Sequence, residues 1–318
     1  MTTHREIPVT YEDQGNYLHY GKLVLVKPGN TTLPISYKSF ANIIYNFKYR
    51  RDDICLFTFP KSGTVWTAGI IWAMTHIGEL ERAMTESLNS RVFYVDNDFV
   101  HSFKEHGHRE KLKNLCPDAK EEDGLVLQLA ALEKGRRLIW SHLPFDLQNP
   151  DVLDECKVVS VMRHPKDNLF SRYVFNNKFG SADLQFIVET FLTGRAVHGS
   201  YWHHVNETWK RRDHPNLHIM FYEDMKADIM SELKKLNVFL GTNLTEDQLK
   251  RVAEHTTFNN MKEHPTMAPS FVSFKGSFFH TGQVGSSKGQ FPPELDAQVD
   301  AWIKENAVKV DPAFRYVS

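Results

Sequence analysis

An apolar run, Ile54-Cys-Leu-Phe-Thr-Phe59, is followed at once by Pro60-Lys-Ser-Gly-Thr-Val-Trp66. A short apolar stretch bounded by charge on one side and proline on the other reads as a buried strand. The tight turn after it opens a helix expected over Thr64 to His76. N–H groups in the first turn of a helix lack intrahelical partners, and the helix dipole is positive there. Such a turn accommodates a phosphate-like anion, Lys61 adds a mobile positive charge, and Gly63 lets the backbone approach the ligand closely. The stretch departs from the G-x-x-x-x-G-K-[ST] loop that also positions magnesium: here Lys precedes Ser-Gly-Thr, and only one glycine is present. The loop points to a phosphorylated nucleotide and to group transfer, although a plain strand–turn–helix connection would look the same.

Three further apolar segments, Arg137–Ser141, Lys157–Met162 and Leu217–Phe221, have the same character. Helical patterns are expected at Thr64–His76, Asp123–Lys134, Lys166–Asn176, Asp183–Thr193, Trp202–Arg211, Met225–Leu240 and Thr245–His255, the last opened by a capping-box pattern. Alternating strands and helices specify an α/β chain: one central, mostly parallel sheet flanked by helices, with ligands at the carboxyl ends of the strands. The expected layout is one domain over residues 1–318. Residues 1–35 form an N-terminal extension, and 260–292, rich in Pro, Gly, Ser and Phe, form a mobile loop over cofactor and substrate.

A net charge of −1 leaves no global basic field for nucleic acid or a membrane surface, so any anion site must be local. The polar amino terminus and the absence of a long apolar run argue against a signal peptide or a membrane span. Cys55, Cys116 and Cys156 are widely spaced and suggest neither a disulfide framework nor zinc, which fits a cytoplasmic protein. Histidine pairs such as His203-His204 lack a completing ligand, so no metal is expected.

Three more motifs end strands. Trp140-Ser-His-Leu-Pro144 places His142 where a ligand would lie, and imidazole takes a proton near neutrality; the chain has 16 histidines, and most histidines are structural or surface groups, so this residue alone is a weak signal. Arg163-His-Pro-Lys-Asp167, followed by Ser171, offers a guanidinium fork and a hydroxyl for a phosphate, while Pro165 suits a first helical turn. Phe221-Tyr-Glu-Asp-Met-Lys226 offers Tyr222 to a base, with Glu223 or Asp224 as helix caps.

In this order the four motifs resemble those of the cytosolic sulfotransferases, over roughly residues 35–305. The resemblance implies a 3′-phosphoadenosine 5′-phosphosulfate (PAPS) donor leaving 3′-phosphoadenosine 5′-phosphate (PAP). It also implies a small lipophilic alcohol, phenol or amine as acceptor. Lys61, Ser62, Gly63, Thr64 and Val65 would cradle the phosphosulfate and Trp66 would pack on adenine. Arg163 and Ser171 would hold the 3′-phosphate, Tyr222 would meet the base edge, and Thr256, Thr257 and Phe258 would close over it. His142 would be the general base, with Lys61 stabilising the leaving phosphate.

Three departures stand out. Trp140 occupies the place of a lysine two residues before the histidine. The late glycine-containing segment reads His280-Thr-Gly-Gln-Val-Gly-Ser-Ser-Lys288 without its usual Arg and Lys; Gly282, Thr281 and His280 remain as contacts, Lys275 could compensate, and a weakened donor site is expected. Pro292-Pro293 and Ala297 disrupt the family's dimer motif, so a monomer, or a dimer through another face, is expected. Phe93, Phe145, Phe175, Phe271 and Phe278 are candidates for an apolar acceptor pocket. Arg172, if it faces inward, would give the acceptor polar or acidic character. Three other readings remain: dehydration of an allylic alcohol such as retinol through its sulfate, a nucleotide- or lipophile-binding protein with weakened chemistry, and a P-loop kinase, for which the magnesium-positioning features are missing.

Overall fold

The computed structural model describes residues 5–100, 106–180, 183–269 and 278–316. It opens with an antiparallel meander that the sequence patterns did not reveal: β1 (Thr10–Asn16), β2 (Lys22–Lys27) and β3 (Thr31–Pro34). Val24, Val26 and Leu33 of this meander are buried in the same core as Tyr37 of α1 (Tyr37–Tyr45). The segment expected as an extension is therefore packed structure.

The central sheet comprises β4 (Ile54–Phe57), β5 (Phe93–Tyr94), β6 (Leu138–Ser141), β7 (Lys157–Met162) and β8 (Leu217–Phe221), in the spatial order β5-β6-β4-β7-β8. All its pairings are parallel, and the four strands expected from sequence are present within two residues at their ends. Because strand side chains alternate between faces, β4 splits its residues between two cores. Cys55 and Phe57 join Ile139, Val158 and Leu127 on one face. Ile54 and Leu56 join Trp140, Val159 and Ile70 on the other. Covering both faces is what makes these strands continuously apolar.

A tight turn over Thr58–Gly63 leads from β4 into α2 (Thr64–Thr75). Next come α3 (His106–Leu115), α4 (Leu125–Leu132), α5 (Pro165–Asn177), α6 (Leu184–Leu192) and α7 (Tyr201–Trp209). The single helix expected over Met225–Leu240 is two, α8 (Tyr222–Ala227) and α9 (Ile229–Leu240). Extended Asp228 breaks them and caps the second by accepting from the Ser231 N–H at 3.0 Å. Glu223 and Asp224 do not act as helix caps. Glu223 accepts from the His164 N–H and the Tyr316 hydroxyl, both at 2.8 Å, and Asp224 pairs with Arg315. α10 (Glu246–His255) carries the expected capping box between Thr245 and Gln248. Part of the expected 260–292 loop is regular, with α11 (Phe258–Glu263) and a 3₁₀ turn at Pro265–Met267. Phe271 and Lys275 lie outside the described residues. Pro293 opens α12 (Pro293–Val310) at its first turn, where proline's fixed φ is favourable.

At the opposite, amino-terminal edge of the sheet, Arg137 is 1% exposed and bonded through Nε to Asp53 Oδ1 at 2.7 Å. It also donates to the carbonyls of Ala130 and Lys48 at 2.9 and 2.8 Å. This buried charge ties α4 to the sheet rather than starting β6.

Candidate active site

Four strands end in the motif residues. Phe57 leads to the Thr58–Trp66 loop, Ser141 to His142, Met162 to Arg163 and Phe221 to Tyr222. Because the strands are parallel, these ends lie along one edge, and their side chains line a single cavity of about 210 Å³. Its lining includes Lys61, Gly63, Thr64, Val65, Trp66, His142, Arg163, Ser171, Tyr222, Phe258, His280, Thr281 and Gly282.

The loop is shaped by contacts to its own backbone. Lys61 has φ +71° and Gly63 φ +115°. A Cβ at Gly63 would lie 2.9 Å from the Tyr222 ring, so glycine is required there by both conformation and space. Arg163 donates to the Lys61 carbonyl at 3.2 Å, and Asn168 donates to the Pro60 carbonyl at 2.9 Å and to Ser62 Oγ at 3.0 Å. Ser62 is therefore a buried brace and does not line the cavity. The Arg163 guanidinium lies 4.4 Å from the Tyr222 ring centre, Tyr222 meets Trp66 edge to face at 5.6 Å, and Lys226 Nζ sits 5.5 Å from the Trp66 ring.

The Lys61 ammonium is enclosed by aromatic faces, 4.2 Å from Phe175 and 4.8 Å from Phe278. Burial, followed by the neighbouring charges of Lys178, Arg163 and Arg172, pulls its pKa down to about 7. An anion at the loop would reverse that pull.

His142 is 8% exposed. Its Nδ1 sits 2.7 Å from the Thr58 carbonyl oxygen, which can only accept, so Nδ1 carries the proton and Nε2 the lone pair. The Trp140 indole N–H donates to that lone pair at 3.3 Å. Asp96 accepts from the His142 N–H at 2.7 Å and from Ser141 Oγ at 2.6 Å. The His198 ring lies 5.2 Å from that of His142, and its Nε2 is 3.4 Å from Asp96 Oδ2. Burial, then nearby His198, lowers His142 to about 3, whereas burial raises Asp96 to about 6 despite its donors. His142 is thus held as a neutral imidazole whose lone pair, on Nε2, is met by the Trp140 indole.

The remaining expected residues divide. Phe175 and Phe278 line the cavity. Phe93 and Phe145 do not; both pack in the core beneath the sheet, Phe145 edge to face with Phe57 at 5.6 Å, because their positions put them on the other face. The hydroxyl of Thr256 bonds to the Val252 carbonyl, and that of Thr257 caps α11. Neither Thr256 nor Thr257 lines the cavity; Phe258 does. Gly282, φ +64°, passes so close to Phe258 that any Cβ would overlap its ring.

Several lining residues had no signal in the sequence: Tyr20, Tyr94, Val100, Lys178 and His198. They come from segments without a motif. Asp167, visible only as part of the Arg163 motif, clamps the late segment by accepting from Gly285 N–H, Ser287 N–H and Ser287 Oγ at 2.6, 3.0 and 2.6 Å.

A parallel five-stranded sheet with a tight glycine-containing turn after its central strand and a cavity at its carboxyl edge defines an α/β protein whose site lies at the strand ends. A sulfotransferase domain model matches residues 51–311, and the chain belongs to that family; it is a sulfotransferase. It is 30% identical over 300 residues to luciferin sulfotransferase of Photinus pyralis, covering 89% of this chain and 79% of that protein. It is 31% identical over 297 residues to sulfotransferase 1A1 of Rattus norvegicus, covering 87% and 93%. Among solved structures, retinol dehydratase in complex with retinol and PAP superposes with a TM-score of 0.79 at 24% identity, over 96% of this chain and 92% of that one. Mouse sulfotransferase SULT7A1 complexed with PAP gives 0.66 at 24%, over 89% and 94%. These two structures share the fold. Among the described residues no helix is long and apolar enough to cross a membrane.

Proposed function

We propose that the enzyme transfers a sulfuryl group from PAPS to a hydroxyl or amine of a small, largely apolar acceptor, with His142 as general base. The observation that carries this reading is that His142, with its Nδ1 proton held by Thr58 and its lone pair on Nε2, shares one lining with Lys61. The residues present suit the donor. Trp66 Nε1 and Arg163 Nε are buried without hydrogen-bond partners, and buried polar groups of this kind are normally satisfied by a ligand or water. Lys61, Thr64 and the first turn of α2 would hold the phosphosulfate, Arg163 and Ser171 the 3′-phosphate, and Trp66, Tyr222 and Phe258 the base.

When bound, the donor supplies the sulfuryl group and an oxygen that departs as phosphate. Thr58 fixes the His142 tautomer so that Nε2 can take the acceptor's proton, and Asp96 steadies the imidazole through its backbone N–H. Lys61, protonated beside the anion, stabilises charge where it grows. Phe175, Phe278 and Tyr94 exclude water and supply apolar contact to the acceptor.

The test is incubation with PAPS and a panel of phenols, alcohols and amines, with mass spectrometry of the products. A sulfate ester or sulfamate supports the reading. An alkene from an allylic alcohol would redirect it to net dehydration, and binding of PAP with no product from any acceptor would make the chain a binding protein.

A further inference from the structure

The cavity's charge is one-sided. Its described lining contains Lys61, Arg163, Arg172, Lys178 and Lys226, and no carboxylate. Four of these cations have accounts near the phosphate-type loop: Lys61 and Arg163 by direct bonding, Lys226 over Trp66, and Lys178 beside Lys61. Arg172 does not. It is 6% exposed and donates through Nη2 to the Val197 carbonyl at 2.6 Å. Its Nε and Nη1 are buried without a hydrogen-bond partner among the described residues. The Val197 contact ties it to the segment carrying His198, whose ring touches that of His142. The Phe59 ring centre lies 5.9 Å away.

A guanidinium taken out of water with part of its fork unpaired is a costly arrangement. It persists where a ligand supplies the missing acceptor, and a planar fork matches a carboxylate through two parallel bonds. Arg172 lines the cavity that Lys61, His142 and His198 also line.

We infer that Arg172 is a specificity-determining residue that selects acceptors bearing a carboxylate at a distance from the hydroxyl to be sulfonated, so that the cavity takes amphipathic hydroxy acids. His198, next in sequence to the Val197 carbonyl that holds Arg172, lines the same cavity, with its Nε2 turned to Asp96 at 3.4 Å. This inference rests on the sulfuryl-transfer reading of the cavity and narrows its acceptor.

The probes are para-hydroxyphenyl alkanoic acids of increasing chain length, each with its methyl ester. Calorimetric titration of the full chain, with and without PAP, should show at least one acid binding roughly 10- to 100-fold more tightly than its ester, the range of one charge-assisted bond. The same acid should lead its ester in kcat/KM. Arg172→Gln should collapse the acid-to-ester ratio toward one, and Arg172→Lys should keep part of it. Equal binding of acids and esters by the unmodified protein overturns the inference without needing a variant. So does an Arg172→Gln protein that loses PAP affinity but keeps the acid-to-ester ratio, since the arginine then serves the donor. Sulfonation of esters and acids alike leaves sulfuryl transfer standing and removes Arg172 as selector. Preferential binding of acids with no sulfated product removes the transfer reading and keeps the anion site.

Discussion

The Lys61 end of the cavity is built from one continuous stretch, Thr58 to Trp66, whereas the His142 end draws on Thr58, Asp96, Trp140 and His198 from four separate segments. At the first end the backbone does the work: two positive φ angles and a helix start shape the cradle proposed for the donor's anion, with side chains as braces. At the second, one ring nitrogen is held by a distant carbonyl and the other is met by a neighbouring indole. A cradle made of local backbone tolerates change in its surroundings but not in its own dihedrals. A constellation assembled from afar depends on the sheet that brings its parts together.

The largest effect separates these ends by function. His142→Ala should lower turnover by roughly 10²–10⁴-fold, read as sulfated product under saturating donor, while calorimetry with PAP shows binding kept. Equal loss of PAP affinity would join the two ends into one site and remove the base assignment.

The next tests the frame they share. Asp53→Ala leaves Arg137 buried and unpaired, which should destabilise the fold by about 3–5 kcal/mol in denaturant titration. Activity per folded molecule should hold, because the pair lies at the far edge of the sheet. A smaller loss would show that water reaches Arg137.

Gly63→Ala addresses the cradle alone. Positive φ and the 2.9 Å approach to Tyr222 should cost about 1–3 kcal/mol, seen as weaker PAP binding, with His142 chemistry retained at saturating donor. Unchanged affinity would mean that the loop shifts without penalty.

The smallest effect is in pH. Lys61 of the ligand-free enzyme, lowered to about 7 by burial and by Lys178, Arg163 and Arg172, loses its charge as pH rises through that value. Therefore kcat/KM for the donor should fall above about 7. Lys61→Arg should remove that limb, because a guanidinium stays charged. His142, lowered to about 3 by burial and His198, should contribute no acid limb in the range from 5 to 8.

What was legible follows the same division. The β4–α2 loop, the strand ends at Ser141, Met162 and Phe221, and the capping box at Thr245 all depend on residues a few positions apart, so pattern and spacing reveal them. The β1–β3 meander has no comparable signature; it is stabilised by packing Val24, Val26 and Leu33 against Tyr37. Asp228 broke a helix that periodicity alone would continue. For Phe93, Phe145, Phe175 and Phe278, aromatic character was visible but the face was not, and two of the four lie under the sheet.

The sequence by itself determined an α/β sheet with a tight glycine-containing turn after its central strand, and a histidine and an arginine at the ends of the two strands that flank it, because these rest on local periodicity and backbone preference. Only the tertiary structure decided that His142 carries its lone pair on Nε2, that Trp140 meets that nitrogen, and that Arg172 is buried against the segment carrying His198. Those facts depend on Thr58, Asp96 and Val197 arriving from elsewhere in the chain. A side chain's hydrogen bonds and charge state are set by the groups that surround it once the sheet has closed.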